Sequence, residues 1–193
     1  MTHIPLHIQP DAEEPGAAEV YVDGWAGERA YRFLLDTGAG RSSLPYDAYS
    51  ATFPPVDSHR SSGVFAGGAN DVIEVPRLTV GPMTRAPFAI TRGPAGSAHD
   101  RSLIGMDLLR DWCCHFLFDA ARLEVSAAAP ALDVPFHDLR VDAKHHPYLE
   151  VGLGAGTASA VWDTGASLTV VDQALVDRHP DHFALDGTST GTD

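Results

Sequence analysis

Short, mostly apolar runs alternate along the chain with segments rich in Gly, Pro and Asp. Runs of this length are typical of β-strands, whereas most helices need a longer periodic pattern. The predicted strands are 4–8, 20–22, 31–35, 72–75, 78–80, 88–91, 102–105, 116–119 and 122–125. Short helical segments are predicted at 45–50, 107–112 and 172–178, a turn at 23–27 and a loop at 53–62. The pattern therefore predicts a mostly β fold.

One pattern around an aspartate occurs twice. At 34–44 and again at 161–171, an apolar run leads into Asp-Thr-Gly-Ala, after which the chain becomes apolar again. The two aspartates, Asp36 and Asp163, are 127 residues apart, which is the length of one small domain. A single Asp-Thr-Gly is a weak signal, because Asp often closes a turn by accepting from its own backbone. Two matching copies, each at the end of an apolar run where an unpaired charge is costly, indicate paired carboxylates.

The two turns resemble those of the aspartic proteases, in the retropepsin-like (retroviral-type) branch. Each lobe of that family contributes one Asp-Thr-Gly turn, and the two carboxylates meet across a pseudo-twofold axis. Residues 103–109 are similar to the apolar-apolar-Gly strand and short helix behind the catalytic turn, and 116–125 to the last strand pair of a lobe. The resemblance implies retropepsin-like acid-protease barrel lobes: a complete first lobe at 1–126, a linker at 127–133 and a partial second lobe at 134–193.

The resemblance also implies a role for each residue of the two turns. Asp36 and Asp163 would be the catalytic pair. The residues that would interlock the turns and line the substrate-binding floor are Thr37, Gly38, Ala39, Thr164, Gly165 and Ala166. A Gly-rich flap would cover the substrate with Phe65, Ala66, Gly67 and Gly68. Ala after each glycine, where pepsin-like enzymes usually carry Ser, implies a pH optimum that is acidic but less extreme than theirs.

The repeat extends beyond the two turns. Residues 134–137 repeat the pattern of 4–7, and Tyr148 repeats Tyr21 at the same offset of 127 residues. This internal duplication predicts two lobes in tandem. The second copy reaches the foot of its flap at Ser189, so we expect a partial second lobe, and self-association through it is left open.

Charge and cysteine content narrow the class of protein. The net charge of −13 argues against nucleic acid and anionic membrane surfaces as partners. No run approaches the roughly 18 apolar residues of a membrane helix, and the first residues carry no signal-peptide pattern. The adjacent Cys113 and Cys114 are poorly placed to bridge each other, which indicates a reducing compartment. We therefore expect a cytoplasmic location.

Two histidine groups are candidates for a metal site. His145 and His146 are adjacent, so their side chains point away from each other on a strand, and a solvated loop is favoured. The segment 179–182, His-Pro-Asp-His, is also predicted to be a loop. We therefore expect neither a metal nor a cofactor.

The predicted function is that of an aspartic endopeptidase acting on a peptide or protein substrate. Two nearby carboxylates share one proton, so one of them can activate water while the other donates to the developing oxyanion. Two alternatives stay open. The chain is either a non-catalytic module that binds extended peptide, or a protease in which two first lobes pair their Asp36 turns.

Overall fold

The computed structural model describes residues 2–11, 14–62, 67–97, 101–129, 138–154 and 156–187. The strands of the first 126 residues are β1 (Thr2–Pro5), β2 (His7–Pro10), β3 (Ala18–Ala26), β4 (Arg29–Leu35), β5 (Ser43–Leu44), β6 (Pro55–Ser62), β7 (Gly67–Val75), β8 (Leu78–Val80), β9 (Met83–Arg85), β10 (Phe88–Arg92), β11 (Leu103–Ile104), β12 (Cys113–Leu117) and β13 (Arg122–Ser126). The later strands are β14 (Arg140–Val141), β15 (Pro147–Leu153) and β16 (Gly156–Val161). The helices are α1 (Met106–Leu109) and α2 (Gln173–Arg178), with 3₁₀ turns at Ser50–Thr52 and Pro180–His182. The predicted mostly β class is confirmed.

One large sheet carries most of the first 126 residues. Its ten strands run in the order β6-β7-β10-β5-β11-β4-β3-β8-β9, with β2 paired to β3. Within the described part of the chain, β6 and β9 end this sheet without pairing to each other, so the expected barrel is not closed. A second sheet, β1-β13-β12, packs on the same apolar core, because Ile4, Leu123 and Val125 belong to one buried cluster with Phe33 and Ile73.

Several predicted boundaries were wrong, each for a local reason. The strand expected at 4–8 splits at Leu6, whose N–H donates to the Ala121 carbonyl at 2.9 Å, so that β1 and β2 join different sheets. The turn expected at 23–27 lies at Gly27 and Glu28, because β3 and β4 stay paired as far as Ala26. The loop expected at 53–62 is the strand β6, which pairs along β7 although its polar sequence has no apolar alternation.

The strands around β4 position Asp36. β4 lies between β3 and β11, and it runs parallel to β11, with Leu34 opposite Leu103 and Leu35 opposite Ile104. The Asp36 N–H then donates to the Ile104 carbonyl at 3.0 Å. The predicted strand behind Asp36 is confirmed. Because β4 is buried on both sides, it delivers this carboxyl into the interior of the protein.

The segment 138–187 has little core of its own. It contains the sheet β14-β15-β16, the second Asp-Thr-Gly turn and α2, which begins after Asp172 as predicted. Only Pro147 and Thr164 are buried among its described residues. Leu168, Val170 and Leu185 are exposed. Within the described ranges, no helix is long and apolar enough to cross a membrane.

This contrast generates a prediction about local stability. Amide hydrogens at 138–187 should exchange faster than those in β3, β4 and β10, because few buried apolar contacts oppose local opening there. Hydrogen–deuterium exchange followed by mass spectrometry would measure the difference. Equal protection of both regions would contradict it and would mean that additional contacts complete the second segment.

Candidate active site

The two Asp-Thr-Gly turns are joined by a reciprocal set of hydrogen bonds. The Thr164 N–H donates to Thr37 Oγ1 at 3.0 Å, and the Thr37 N–H donates to Thr164 Oγ1 at 3.2 Å. Each hydroxyl then donates to a carbonyl of the other turn: Thr37 Oγ1 to Trp162 O at 2.5 Å and Thr164 Oγ1 to Leu35 O at 2.6 Å. Both threonines are buried, at 3% and 9% exposure. We call these four bonds the threonine grip.

The threonine grip brings the two aspartates together. A Cβ atom added to Gly38 would overlap the carboxylate of Asp163, and one added to Gly165 would overlap the carboxylate of Asp36. Each turn therefore needs glycine at this position, because the carboxyl group of the opposite turn occupies the space of a side chain. The Gly165 N–H donates to Asp163 Oδ1 at 2.9 Å, which orients that carboxylate.

The electrostatics of the pair follow from this geometry. Burial raises the pKa of Asp36 to about 7, and the nearby charge and hydrogen bond of Asp163 raise it further, while the backbone N–H groups of Ala39 and Gly38 oppose the shift. Two carboxyl groups this close hold one proton between them more readily than they ionise together. One aspartate therefore keeps a proton up to near-neutral pH, and its partner carries the charge.

A further carboxylate, Asp107, supports the first turn from behind. Its oxygens accept the Ser42 N–H at 2.9 and 3.0 Å and the Ser42 hydroxyl at 2.6 Å, and Ser42 Oγ in turn accepts the Gly105 N–H at 3.0 Å. Gly105 packs against the turn so closely that a Cβ there would lie 2.7 Å from Ala39 O. Sequence reasoning predicted Asp107 only as the start of a helix, since nothing in the sequence links it to Ser42, 65 residues earlier.

Trp162 also takes part in the site. Its carbonyl accepts from Thr37, and its ring packs edge-on against Phe116 with centroids 4.9 Å apart. This contact ties the second turn to the edge strand β12 of the first 126 residues. The sequence predicted Trp162 only as a packing residue, and its position beside Asp163 was the available signal.

The remaining predicted residues lie in different places. The Ala39 carbonyl accepts the Met106 N–H at 2.8 Å at the start of α1, while Ala166 follows Gly165 at the exit of the second turn. Gly67 and Gly68 begin β7 and pair with β6. Phe65 and Ala66 lie outside the described residues, as do 134–137 and Ser189. Among the described residues, no cluster of His, Cys, Asp or Glu could hold a metal ion, and the His146 imidazole lies 2.9 Å from Asp142.

Comparisons with known proteins add one finding. No protein-family model matches the chain, and no curated protein matches it significantly. Among solved structures, the crystal structure of a retropepsin-like aspartic protease from Rickettsia conorii is similar, with 16% sequence identity and a TM-score of 0.43. The alignment covers 63% of this chain and 86% of that one. The function is therefore argued below from the geometry of the two turns.

The threonine grip generates a prediction about stability. Thr37→Val removes a hydroxyl and leaves the buried Trp162 carbonyl and Thr164 N–H without this partner, at a cost of roughly 1–3 kcal/mol for each unsatisfied group. Thr37→Ser keeps the hydroxyl and is the matched control. Urea unfolding should show a lower midpoint for the valine variant than for the serine variant. Equal midpoints would contradict a structural role of the grip.

The raised pKa of Asp36 predicts how stability changes with pH. Because the folded protein holds this proton up to about pH 7 and the unfolded chain releases it near pH 3.8, the folded state binds the extra proton. Its contribution to stability is therefore complete below about pH 4 and is lost as the pH rises through about 7, on the order of a few kcal/mol in total. The free energy of unfolding, measured by urea titration from pH 4 to 8, should fall more in the wild type than in Asp36→Asn. The exposed Asp181→Asn should follow the wild type, and an identical slope for Asp36→Asn would rule the shift out.

Proposed function

We propose that the chain is an aspartic endopeptidase in which Asp36 and Asp163 form one catalytic pair. The observation that carries this proposal is the threonine grip. Four hydrogen bonds between two copies of the same turn hold the two carboxyl groups within hydrogen-bonding reach of each other. Burial and like charge keep one carboxyl protonated while the other is ionised, which are the two states that peptide hydrolysis by an aspartate pair requires.

The proposed reaction uses both protonation states. The ionised aspartate accepts a proton from a water molecule between the carboxyl groups, and the resulting hydroxide attacks the carbonyl carbon of the scissile bond. The protonated aspartate donates a hydrogen bond to the oxygen on which negative charge develops. Collapse of the tetrahedral intermediate breaks the C–N bond, and the leaving nitrogen takes a proton from the pair. The buried site strengthens these interactions because little water screens them.

The two alternatives are distinguished by particular observations. Pairing of Asp36 with Asp163 of the same chain supports one site built by both turns, rather than a dimer that pairs two Asp36 turns. The raised pKa of Asp36 supports catalysis over peptide binding alone, since perturbed carboxyls cluster at reactive sites. The substrate is an extended peptide or protein segment bound across the two turns and under the β6–β7 hairpin.

We also propose that the protein acts in a reducing compartment such as the cytoplasm. Cys113 and Cys114 are both free and half-buried at the start of β12. Two adjacent unpaired thiols fit a compartment in which disulfides are rare.

The catalytic pair is tested by substitution. Asp36→Asn and Asp163→Asn should each abolish cleavage of a mixed peptide pool, and the double variant should be no less active than either single one, because the pair acts as a unit. Cleavage would be read by mass spectrometry between pH 3 and 8, with and without a statine-type transition-state analogue. The wild-type rate should fall as the pH rises through about 7, where the shared proton is lost.

Other outcomes identify the alternatives. Activity that survives Asp163→Asn but not Asp36→Asn would indicate a dimer of first lobes. Peptide binding without any cleavage would indicate a binding module. Cleavage that persists in the double variant would exclude aspartate chemistry altogether.

A further inference from the structure

Positively charged side chains gather beside the Asp36 turn, although the chain as a whole carries a net charge of −13. Arg41 follows that turn directly, and its side chain is exposed. The loop 142–146 packs against the same turn: a Cβ added to Gly40 would lie 3.4 Å from Lys144 Cβ and 3.5 Å from His146 Nε2. Lys144 is also exposed, so two flexible cations lie on the solvent side of the turn that carries Asp36.

His59 adds a third element to this group. It lies half-buried in β6, the first strand of the hairpin proposed to cover the cleft. Burial lowers the pKa of His59, and the positive charges of Arg41 and Lys144 lower it further, whereas Asp57 opposes the shift. Both cations are therefore within electrostatic reach of the imidazole. We call Arg41, His59 and Lys144 the cationic cluster; it joins the first turn, the hairpin and the loop 142–146.

The charges of this cluster are not neutralised by ion pairs. In the described part of the chain, no carboxylate lies within ion-pair distance of the Arg41 or Lys144 side chains. Other arginines do have such partners: Arg32 with Asp23, Arg85 with Asp111, Arg92 with Asp71, Arg101 with Glu19 and Arg122 with Glu124. Asp107 is the acidic group that acts on Arg41, but its carboxylate oxygens are already bonded to Ser42.

The second turn has no equivalent charge. At the offset of 127 residues that relates the two turns, Leu168 takes the place of Arg41 and Ser167 that of Gly40. The two halves of the cleft therefore differ in charge, although the Asp-Thr-Gly-Ala turns themselves are identical in sequence.

Building on the proposed endopeptidase function, we propose that the cationic cluster selects substrates with an Asp or Glu side chain on one side of the scissile bond. An extended peptide that crosses both turns and lies beneath the β6–β7 hairpin passes Arg41, His59 and Lys144 on the Asp36 side only. A carboxylate there would accept charge-assisted hydrogen bonds from guanidinium and ammonium groups that lack another acidic partner. The preference belongs to one side because the other side presents Leu168.

The test is a comparison of cleavage-site preferences. The wild type, Arg41→Glu/Lys144→Glu and the control Arg77→Glu would each digest one peptide pool, with cleavage sites identified by mass spectrometry. Arg77 is a suitable control because it is exposed and its carbonyl accepts the Gly27 N–H, at the end of β4 remote from Asp36. The seven residues of β4 separate the two places by roughly 23 Å.

The wild type and Arg77→Glu should cleave sites enriched in Asp or Glu at one to four residues on a single side of the bond. Arg41→Glu/Lys144→Glu should lower the ratio of kcat/KM for matched acidic and basic peptides by roughly tenfold, since each exposed charge pair has a modest effect and both change sign. The wild-type preference should also weaken as salt rises above about 0.1 M, where the screening length is about 10 Å. An effect on folding alone would not depend on the charge of the peptide.

A binding measurement separates failure of this proposal from failure of the proposed function. Fluorescence anisotropy of labelled acidic and basic peptides would be measured on Asp36→Asn/Asp163→Asn, with and without the two charge reversals. Cleavage by the wild type without acidic enrichment, or with enrichment that survives the charge reversals, overturns the cluster as a specificity site and leaves the peptidase intact. Absence of cleavage overturns the proposed function; tighter binding of acidic peptides that depends on Arg41 and Lys144 still supports the cluster, and equal binding of both peptides overturns it as well.

Discussion

The reciprocal exchange of hydrogen bonds between Thr37 and Thr164 is the interaction on which the rest of the site depends. Each hydroxyl accepts from one turn and donates to the same turn's preceding carbonyl, so that a buried polar group on one side is always satisfied by the other. Neither threonine can therefore be buried at low cost without its partner. The same bonds bring the aspartates close enough to share a proton, which links the stability of the junction to its chemistry.

Steric exclusion complements these bonds. The carboxyl group of each aspartate fills the space that a side chain would occupy at the glycine of the other turn. The first turn is supported further by Asp107, whose carboxylate takes up both donors of Ser42. The carboxyl geometry is thus determined on several sides by backbone and buried groups, which is what a preorganised site requires.

Parts of this arrangement were predictable from sequence because they repeat. The identical Asp-Thr-Gly-Ala turns and their constant offset predicted that Asp36 and Asp163 would meet, and the apolar run at 102–105 predicted the strand behind Asp36. The support by Asp107 and the cationic cluster were not predictable, since both depend on contacts between residues distant in sequence. β6 was missed because its pairing relies on backbone hydrogen bonds to β7, whereas the prediction depended on an apolar pattern that polar residues 57–62 do not have.

The scarcity of buried residues in 138–187 has a consequence for how activity would be regulated. With so small a core, this segment is ordered largely by docking onto the first 126 residues through the threonine grip and the Trp162–Phe116 contact. The catalytic pair then exists only in the docked fraction of molecules, and the observed rate is the intrinsic rate multiplied by that fraction. A ligand that spans both turns would raise the docked fraction by binding it selectively. A substrate would in this way help to assemble the site that cleaves it, and activity would rise more steeply with affinity than in a rigid enzyme.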